Sequence, residues 1–160
     1  MLLSIHAIGR LKTGPERELY QRYEDRLKKA GRNIGISGLS LKEYNDSRSD
    51  DSAKRREQEA DTLLSGLGGG ATLIALDENG RDLSSNELSQ FLRKMLHSGT
   101  QQTAFAIGGP DGHGNQLLEN ADMKLRFGSM TWPHQMVRIM LVEQLYRSVT
   151  ILSGHPYHRN

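Results

Sequence analysis

The chain has 160 residues, no cysteine and a formal net charge of +2. That length fits one domain able to bury a core, and the missing cysteines exclude a disulfide scaffold, a thiolate metal site and a cysteine nucleophile. No apolar run approaches the ~18 residues of a membrane span, and Met1-Leu-Leu-Ser-Ile-His lacks a basic leader start, so a soluble cytosolic protein is expected.

Leu2 to Ile8 is short, β-branched in part and closed by Gly9, which predicts an opening strand. Thr13-Gly-Pro-Glu16 then starts a helix, with proline tolerated in its first turn. Leu19, Tyr20, Tyr23 and Leu27 recur at helical spacing to about Ala30, and Gly31 is expected to stop the helix. A second strand falls within 34–44, around Ile36, Leu39 and Leu41. The polar stretch 45–51 reads as a loop, and 52–64 as a strongly charged helix running into the glycine-rich segment 65–70. A phosphate-binding loop would stand between strand and helix with Lys-Ser/Thr behind it, so this glycine run reads as a connection.

Ala71-Thr-Leu-Ile-Ala-Leu76 is almost continuously apolar, as in a strand covered on both faces of a parallel sheet. Ser84-Ser-Asn-Glu87 has the pattern of a helix N-terminus, with Leu88, Phe91, Leu92 and Met95 as the buried stripe. Thr103 to Ile107 is the next buried strand and empties into Gly108-Gly-Pro-Asp-Gly-His-Gly114. A short helix over 116–121, a short strand over 124–127 and a long helix from Pro133 to about Leu152 complete the order. Strands alternating with helices define an α/β class with a mostly parallel sheet and helices on both faces, in one domain spanning 1–160.

In open α/β sheets, ligands bind outside the carboxyl ends of the strands. Three segments leave such ends: 76–80, 107–112 and 127–132. Gly108 and Gly109 serve a tight turn or a close ligand approach equally well. The last helix is apolar nearly all round, which calls for burial on several sides, by a second subunit or by an unusual topology. Arg138 shares a face with Val142, Leu145 and Val149 and therefore needs an anionic or carbonyl partner. Glu143 and Arg147, one turn apart, read as a helix-surface pair. His155-Pro-Tyr-His-Arg159 gathers two imidazoles, a phenol and a guanidinium. The two histidines lack a third ligand for a metal, whereas Tyr, His and Arg together suit stacking on a base and holding its phosphate. His113 is expected to be exposed in the glycine loop, His6 to lie in a strand and His97 at a helix end. From Lys124 onward Lys124, Arg126, Arg138, Arg147 and Arg159 stand against Glu143 alone, a balance suited to an anionic partner.

Taken together, Ile107-Gly-Gly-Pro-Asp-Gly112, Met130-Thr-Trp-Pro-His-Gln-Met-Val-Arg138, Leu141-Val-Glu-Gln-Leu-Tyr-Arg147 and the closing His155-Pro-Tyr-His-Arg159 carry a resemblance. The chain resembles the ribosomal RNA large subunit methyltransferase H family, the bacterial 23S rRNA pseudouridine N3-methyltransferases of the SPOUT superfamily. The resemblance spans the whole chain, with its signatures in the last third. It implies a C-terminal trefoil knot, a rare exception to the rule against knots, with knot and cofactor site within about 71–160. It implies S-adenosylmethionine as cofactor, contacted by Leu76, Gly108, Phe127, Gly128, Ser129, Met130, Thr131 and Trp132. It further implies a homodimer acting on a pseudouridine of 23S rRNA helix 69 in assembled 70S ribosomes, with no membrane and no metal. Trp132 departs from the Leu or Phe common at its position.

Methyl transfer from a sulfonium needs an in-line nucleophile, so positioning supplies much of the acceleration. Pseudouridine N3 is a weakly acidic imide, and a nearby cation favours its anion. Arg138, Tyr157, His158 and Arg159 are the expected catalytic group, orienting the base, with His158 as proton acceptor. Two other classes fit the residues less well. One is a ribosome-binding protein without activity, which would have no cofactor affinity. The other is a nucleotide-binding or hydrolytic α/β enzyme built on the glycine loop.

Overall fold

The computed structural model describes residues 1–158. In chain order it comprises β1 (Leu2–Ile8), α1 (Pro15–Gly31), a 3-10 turn (Arg32–Ile34), β2 (Gly38–Tyr44), α2 (Ser52–Gly66), β3 (Thr72–Asp82), α3 (Ser85–His97), β4 (Gln102–Ile107), α4 (Asn115–Asn120), β5 (Met123–Arg126) and α5 (His134–Leu152). The strands form one sheet in the order β2-β1-β4-β3-β5, and every neighbouring pair is parallel. All five carboxyl ends therefore lie along one edge, as the alternating pattern predicts.

Side chains alternate across each strand, so the sheet has two covered faces. Leu3, Ile5, Ala7, Ile74, Phe105 and Ile107 join the core under α1, α3 and α5, which includes Leu27, Leu92 and Leu145. Ile8, Leu73, Ala75 and Ala106 pack on the other side against Ala60 and Leu63 of α2 and Leu117 of α4. The capping box of α3 forms as its sequence predicts: Ser84 Oγ accepts from the Glu87 amide and the Glu87 carboxylate accepts from the Ser84 amide. The stripe behind it is narrower than expected, with Leu88, Ser89 and Leu92 buried and Phe91 and Met95 half-buried.

Three expectations about local structure are corrected. Gly31 does not stop the first helix; it is the last residue of α1, with Ile36 against it. The chain turns away at Gly35, whose φ of 85° gives the left-handed cap that a side chain would strain. β3 does not end at Leu76. It runs to Asp82 with a register shift against β5: both Leu76 and Arg81 pair with Leu125, so residues 77–80 are pushed out of the ladder. His113 is buried, not exposed.

The apolar circumference of α5 is largely satisfied within the chain. The helix lies between α1 and α3 on the sheet, and Ile139, Leu141, Val142, Leu145, Tyr146 and Val149 are all buried. Met136, in its first turn, is among the exposed large apolar residues.

Candidate functional site

The carboxyl ends of β3, β4 and β5 open onto a cleft of about 180 Å³. Its walls are the extruded 77–80 segment, the glycine loop after β4, and residues 127–132 between β5 and α5. Each wall follows from a local cause. At the first, the Asp77 carboxylate accepts from the Asn79 amide at 2.9 Å, closing a tight turn. Gly80 then brings β3 back onto β5 so closely that a Cβ there would sit 2.6–2.7 Å from backbone atoms of Lys124 and Leu125.

The glycine loop satisfies both readings open to it. Gly112 donates to the Gly109 carbonyl at 3.0 Å, which makes the turn, and Gly108, Gly109 and Gly112 all line the cleft. A Cβ at Gly108 would lie 2.9 Å from the Gly112 backbone, and one at Gly109 would lie 2.8 Å from Glu59 Oε2. The loop is tied to α2 from behind: Arg55 Nε donates to Asp111 at 2.7 Å, and Arg55 Nη1 donates to the Ser49 carbonyl at 2.7 Å. The Arg55 partnership holds the Asp111 carboxyl below its ordinary range. Glu59 is buried under the same loop and accepts from the Ser47 amide at 3.0 Å; burial pushes its carboxyl upward. His113 lies beneath Gly108, and burial holds its imidazole below the usual histidine range.

The third wall is pinned at its base. Arg126 Nη2 donates to Asp82 at 2.6 Å, and the Gly128 amide also favours the Asp82 carboxylate, keeping that carboxyl low. Trp132 Nε1 donates to the Phe127 carbonyl at 2.9 Å, folding the segment into a loop that leaves Met130 and Trp132 at the surface. Pro133 caps α5, and His134 and Val137 of its first turn complete the cleft. A second hollow of about 520 Å³ lies between α1, α3 and α5 and shares residues 125–128 with the first.

The eight residues expected to contact a cofactor, Leu76, Gly108, Phe127, Gly128, Ser129, Met130, Thr131 and Trp132, all line this one cleft. Asp77, Glu78, Arg126 and His134 line it as well; the sequence placed the first two in the strand-end segment 76–80 and Arg126 in the basic C-terminal stretch, but assigned none of the four to the cofactor. Asp77-Glu78 stands directly behind the buried run 71–76, and His134 behind a helix-starting proline; both positions were signals.

Of the expected catalytic group, Arg138, Tyr157 and His158 do not converge on the cleft within one protomer. Arg138 has no exposed surface: Nη1 donates to Glu43 Oε1 at 3.0 Å and Nη2 to the Ile8 carbonyl. The anion and the carbonyl that its apolar stripe demands are both present, and they occupy the guanidinium away from the cleft. Tyr157 donates to Glu143 Oε1 at 3.0 Å, meets the Tyr146 ring at a 55° tilt with centroids 4.7 Å apart and lies under the Arg147 guanidinium. Arg147 in turn pairs with Glu143, as their spacing predicts. His158 follows Tyr157 in the chain, with Nδ1 buried. Arg159 lies outside the described residues. Among the described residues no cluster of three or more His, Asp or Glu side chains is arranged to hold a metal, and no helix is long and apolar enough to cross a membrane.

A parallel sheet covered on both faces, with a cleft of glycine and peptide surface at its carboxyl edge, defines an α/β enzyme that binds a small ligand at the strand ends. A family model described as "Predicted SPOUT methyltransferase" matches residues 1–158. Curated relatives named ribosomal RNA large subunit methyltransferase H agree. That of Chelativorans sp. (strain BNC1) is 52% identical over 98% of this chain and 90% of its own length. Those of Methylocella silvestris, 49% identical over the full length of both chains, and Mesorhizobium japonicum, 47% identical over 99% of each, are similar to it as well. The chain belongs to the SPOUT methyltransferase family.

Proposed function

We propose that the chain transfers a methyl group from S-adenosylmethionine to N3 of a pseudouridine in helix 69 of large-subunit rRNA. It acts as a homodimer on assembled 70S ribosomes in the bacterial cytoplasm. One observation carries this reading: the eight residues matched to the family's cofactor motif, drawn from three separate loops, line a single cleft. The names of the relatives support the RNA substrate. The family resemblance supports the nucleotide, the knotted path within about 71–160 and the single domain.

The cleft fits that cofactor chemically. Its glycines let a ligand approach the peptide backbone without a side chain between, and Leu76, Phe127 and Val137 supply apolar contact. Asp77 and Glu78 bring negative charge to a ligand whose sulfonium and ammonium are positive. When bound, S-adenosylmethionine supplies the electrophilic methyl carbon. The protein's part is to hold the acceptor nitrogen in line with it and to exclude water.

The tail completes the acceptor side across the dimer in this reading. Tyr157, His158 and Arg159 of one subunit orient the base above the cleft of the other. Arg138 contributes from within by fixing the first turns of α5 on Glu43 and the Ile8 carbonyl. Transfer of tritiated methyl to 70S ribosomes, free subunits and free RNA tests the whole. Label in 23S rRNA from 70S particles is the expected result, with calorimetric binding of S-adenosylmethionine but not ATP. Ribosome binding without cofactor affinity would establish a non-enzymatic binding protein instead, and ATP binding a nucleotide-dependent enzyme.

A further inference from the structure

Removing the imide proton needs an acceptor beside the methyl donor, and the cleft contains one imidazole, His134. It stands at the first position of α5 and lines the cleft with Leu76, Gly108 and Trp132. Its ring is half-buried, and its Nε2 lies 3.5 Å from where a Gly9 Cβ would stand, a point only 3.3 Å from Asp46 Oδ1. His158, by contrast, lines neither hollow in its own protomer.

We propose that His134 is the general base that accepts the N3 proton of the target nucleotide. The proposal rests on the methyltransferase reading above. The step balances simply. The N3–H bond breaks as its proton passes to an imidazole nitrogen, and the freed N3 lone pair forms the new N–CH₃ bond. The C–S bond breaks with its electron pair left on sulfur, and the imidazolium then returns its proton to solvent.

The surroundings favour a neutral ring ready to accept. Burial lowers its proton affinity first, and the Arg138 guanidinium one turn along α5 lowers it further; Asp46, from the segment after β2, opposes them. The positive end of the α5 dipole also disfavours imidazolium. Across the cleft stand Asp77 and Glu78 of β3 and Arg126 of β5, the latter committed to Asp82. Asp46 has a second effect: it steadies the imidazolium once the proton has arrived. A base whose pKa lies below the ordinary histidine value is fully available at neutral pH.

The test uses the full-length protein with His134→Gln and His158→Ala. Calorimetry with S-adenosylmethionine is expected to give affinities near that of the unaltered chain for both. Single-turnover methylation of 70S ribosomes by His134→Gln should fall by roughly 10²–10⁴-fold, the range of a lost general base. The acid limb of the unaltered enzyme's rate profile should disappear with it. In the unliganded protein, NMR titration of the His134 ring should give a pKa below 6.5 that matches that limb. An unchanged rate and profile in His134→Gln, or loss of the limb only in His158→Ala, would overturn the proposal while leaving the methyltransferase reading intact. Loss of cofactor affinity in His134→Gln would also overturn it, making the residue a donor contact. If the unaltered chain neither binds S-adenosylmethionine nor labels RNA, the broader reading fails first.

Discussion

Glu43→Leu is the perturbation that most directly probes how the cleft is supported. Glu43 Oε1 accepts from Arg138 Nη1 at 3.0 Å and from the Leu11 amide at 2.7 Å, while Oε2 accepts from Arg17 at 2.9 Å. The three contacts differ in weight. The Arg17 side chain is 38% exposed, so that pair is worth about 0–1 kcal/mol. Arg138 has no exposed side-chain surface and, without Glu43, keeps the Ile8 carbonyl as hydrogen-bond partner and the nearby Asp46 as an unbonded counter-charge. Breaking a buried pair by removing one partner costs about 3–5 kcal/mol, because the other charge is left uncompensated. For a domain of this size each kcal/mol moves Tm by roughly 2–4 °C. The expected fall is therefore roughly 6–20 °C.

The decisive comparison is the double variant Glu43→Leu/Arg138→Met. Replacing both charges with apolar side chains removes the orphaned cation, so the double should be less destabilised than Glu43→Leu alone. Urea unfolding of the four proteins measures the coupling. If Glu43→Leu costs under about 1 kcal/mol, or the two changes simply add, the guanidinium has another stabilising environment and the argument for a buried lock is wrong. S-adenosylmethionine affinity of the folded double variant should stay near that of the unaltered chain, because neither side chain lines the cleft.

Three further outcomes are expected. Gly80→Ala should cost about 1–3 kcal/mol in urea unfolding and weaken cofactor binding by calorimetry, because its Cβ would press on the Leu125 backbone; Gly69→Ala, with open space around it, should be nearly neutral. Ser84→Ala should lower Tm by roughly 2–4 °C through loss of about 1 kcal/mol of capping. Burial, with Lys42 nearby, lowers the His6 pKa to about 4, so between pH 6.5 and pH 4 the unfolded chain takes up a proton that the folded chain refuses. Stability should therefore fall by about 3 kcal/mol as pH drops through that window, at ~1.4 kcal/mol per pKa unit. Urea midpoints should record that fall, and His6→Gln should flatten it.

What the sequence disclosed follows the range of the interactions involved. The Ser84–Glu87 box and the alternation in Leu3, Ile5 and Ala7 are set by residues a few positions apart, and periodicity reports them. Gly35 was overlooked because Gly31 offered an equally good local stop, and only the packing of Ile36 against Gly31 decides between them. The return of β3 at Arg81 depends on pairing with Leu125, far along the chain, so in the sequence 76–80 showed only as a segment leaving a strand end. Burial of His113 under Gly108 is equally non-local. Arg138 announced that it needed an anion, but helical spacing cannot say that Glu43, 95 positions away, provides it. The eight residues proposed to contact the cofactor came from the family resemblance, whereas Asp77, Glu78 and His134 join them in one cleft only when three loops meet at one edge of the sheet.

The first turns of α5 show why the two kinds of residue are easily confused in a linear reading. His134 and Arg138 are both basic, one helical turn apart, and both border the carboxyl end of the sheet. Their neighbours separate them. Arg138 finds a carboxylate and a carbonyl and becomes fixed, and a fixed cation gains little by meeting RNA. His134 lines the cleft with its Nε2 turned toward Asp46 and Arg138, and the same immobile cation makes its protonation costly. The charge that looks fit to stabilise a substrate anion thus acts earlier in the sequence of causes, keeping the imidazole empty until a proton must be taken. The helix that completes the core also presents the base.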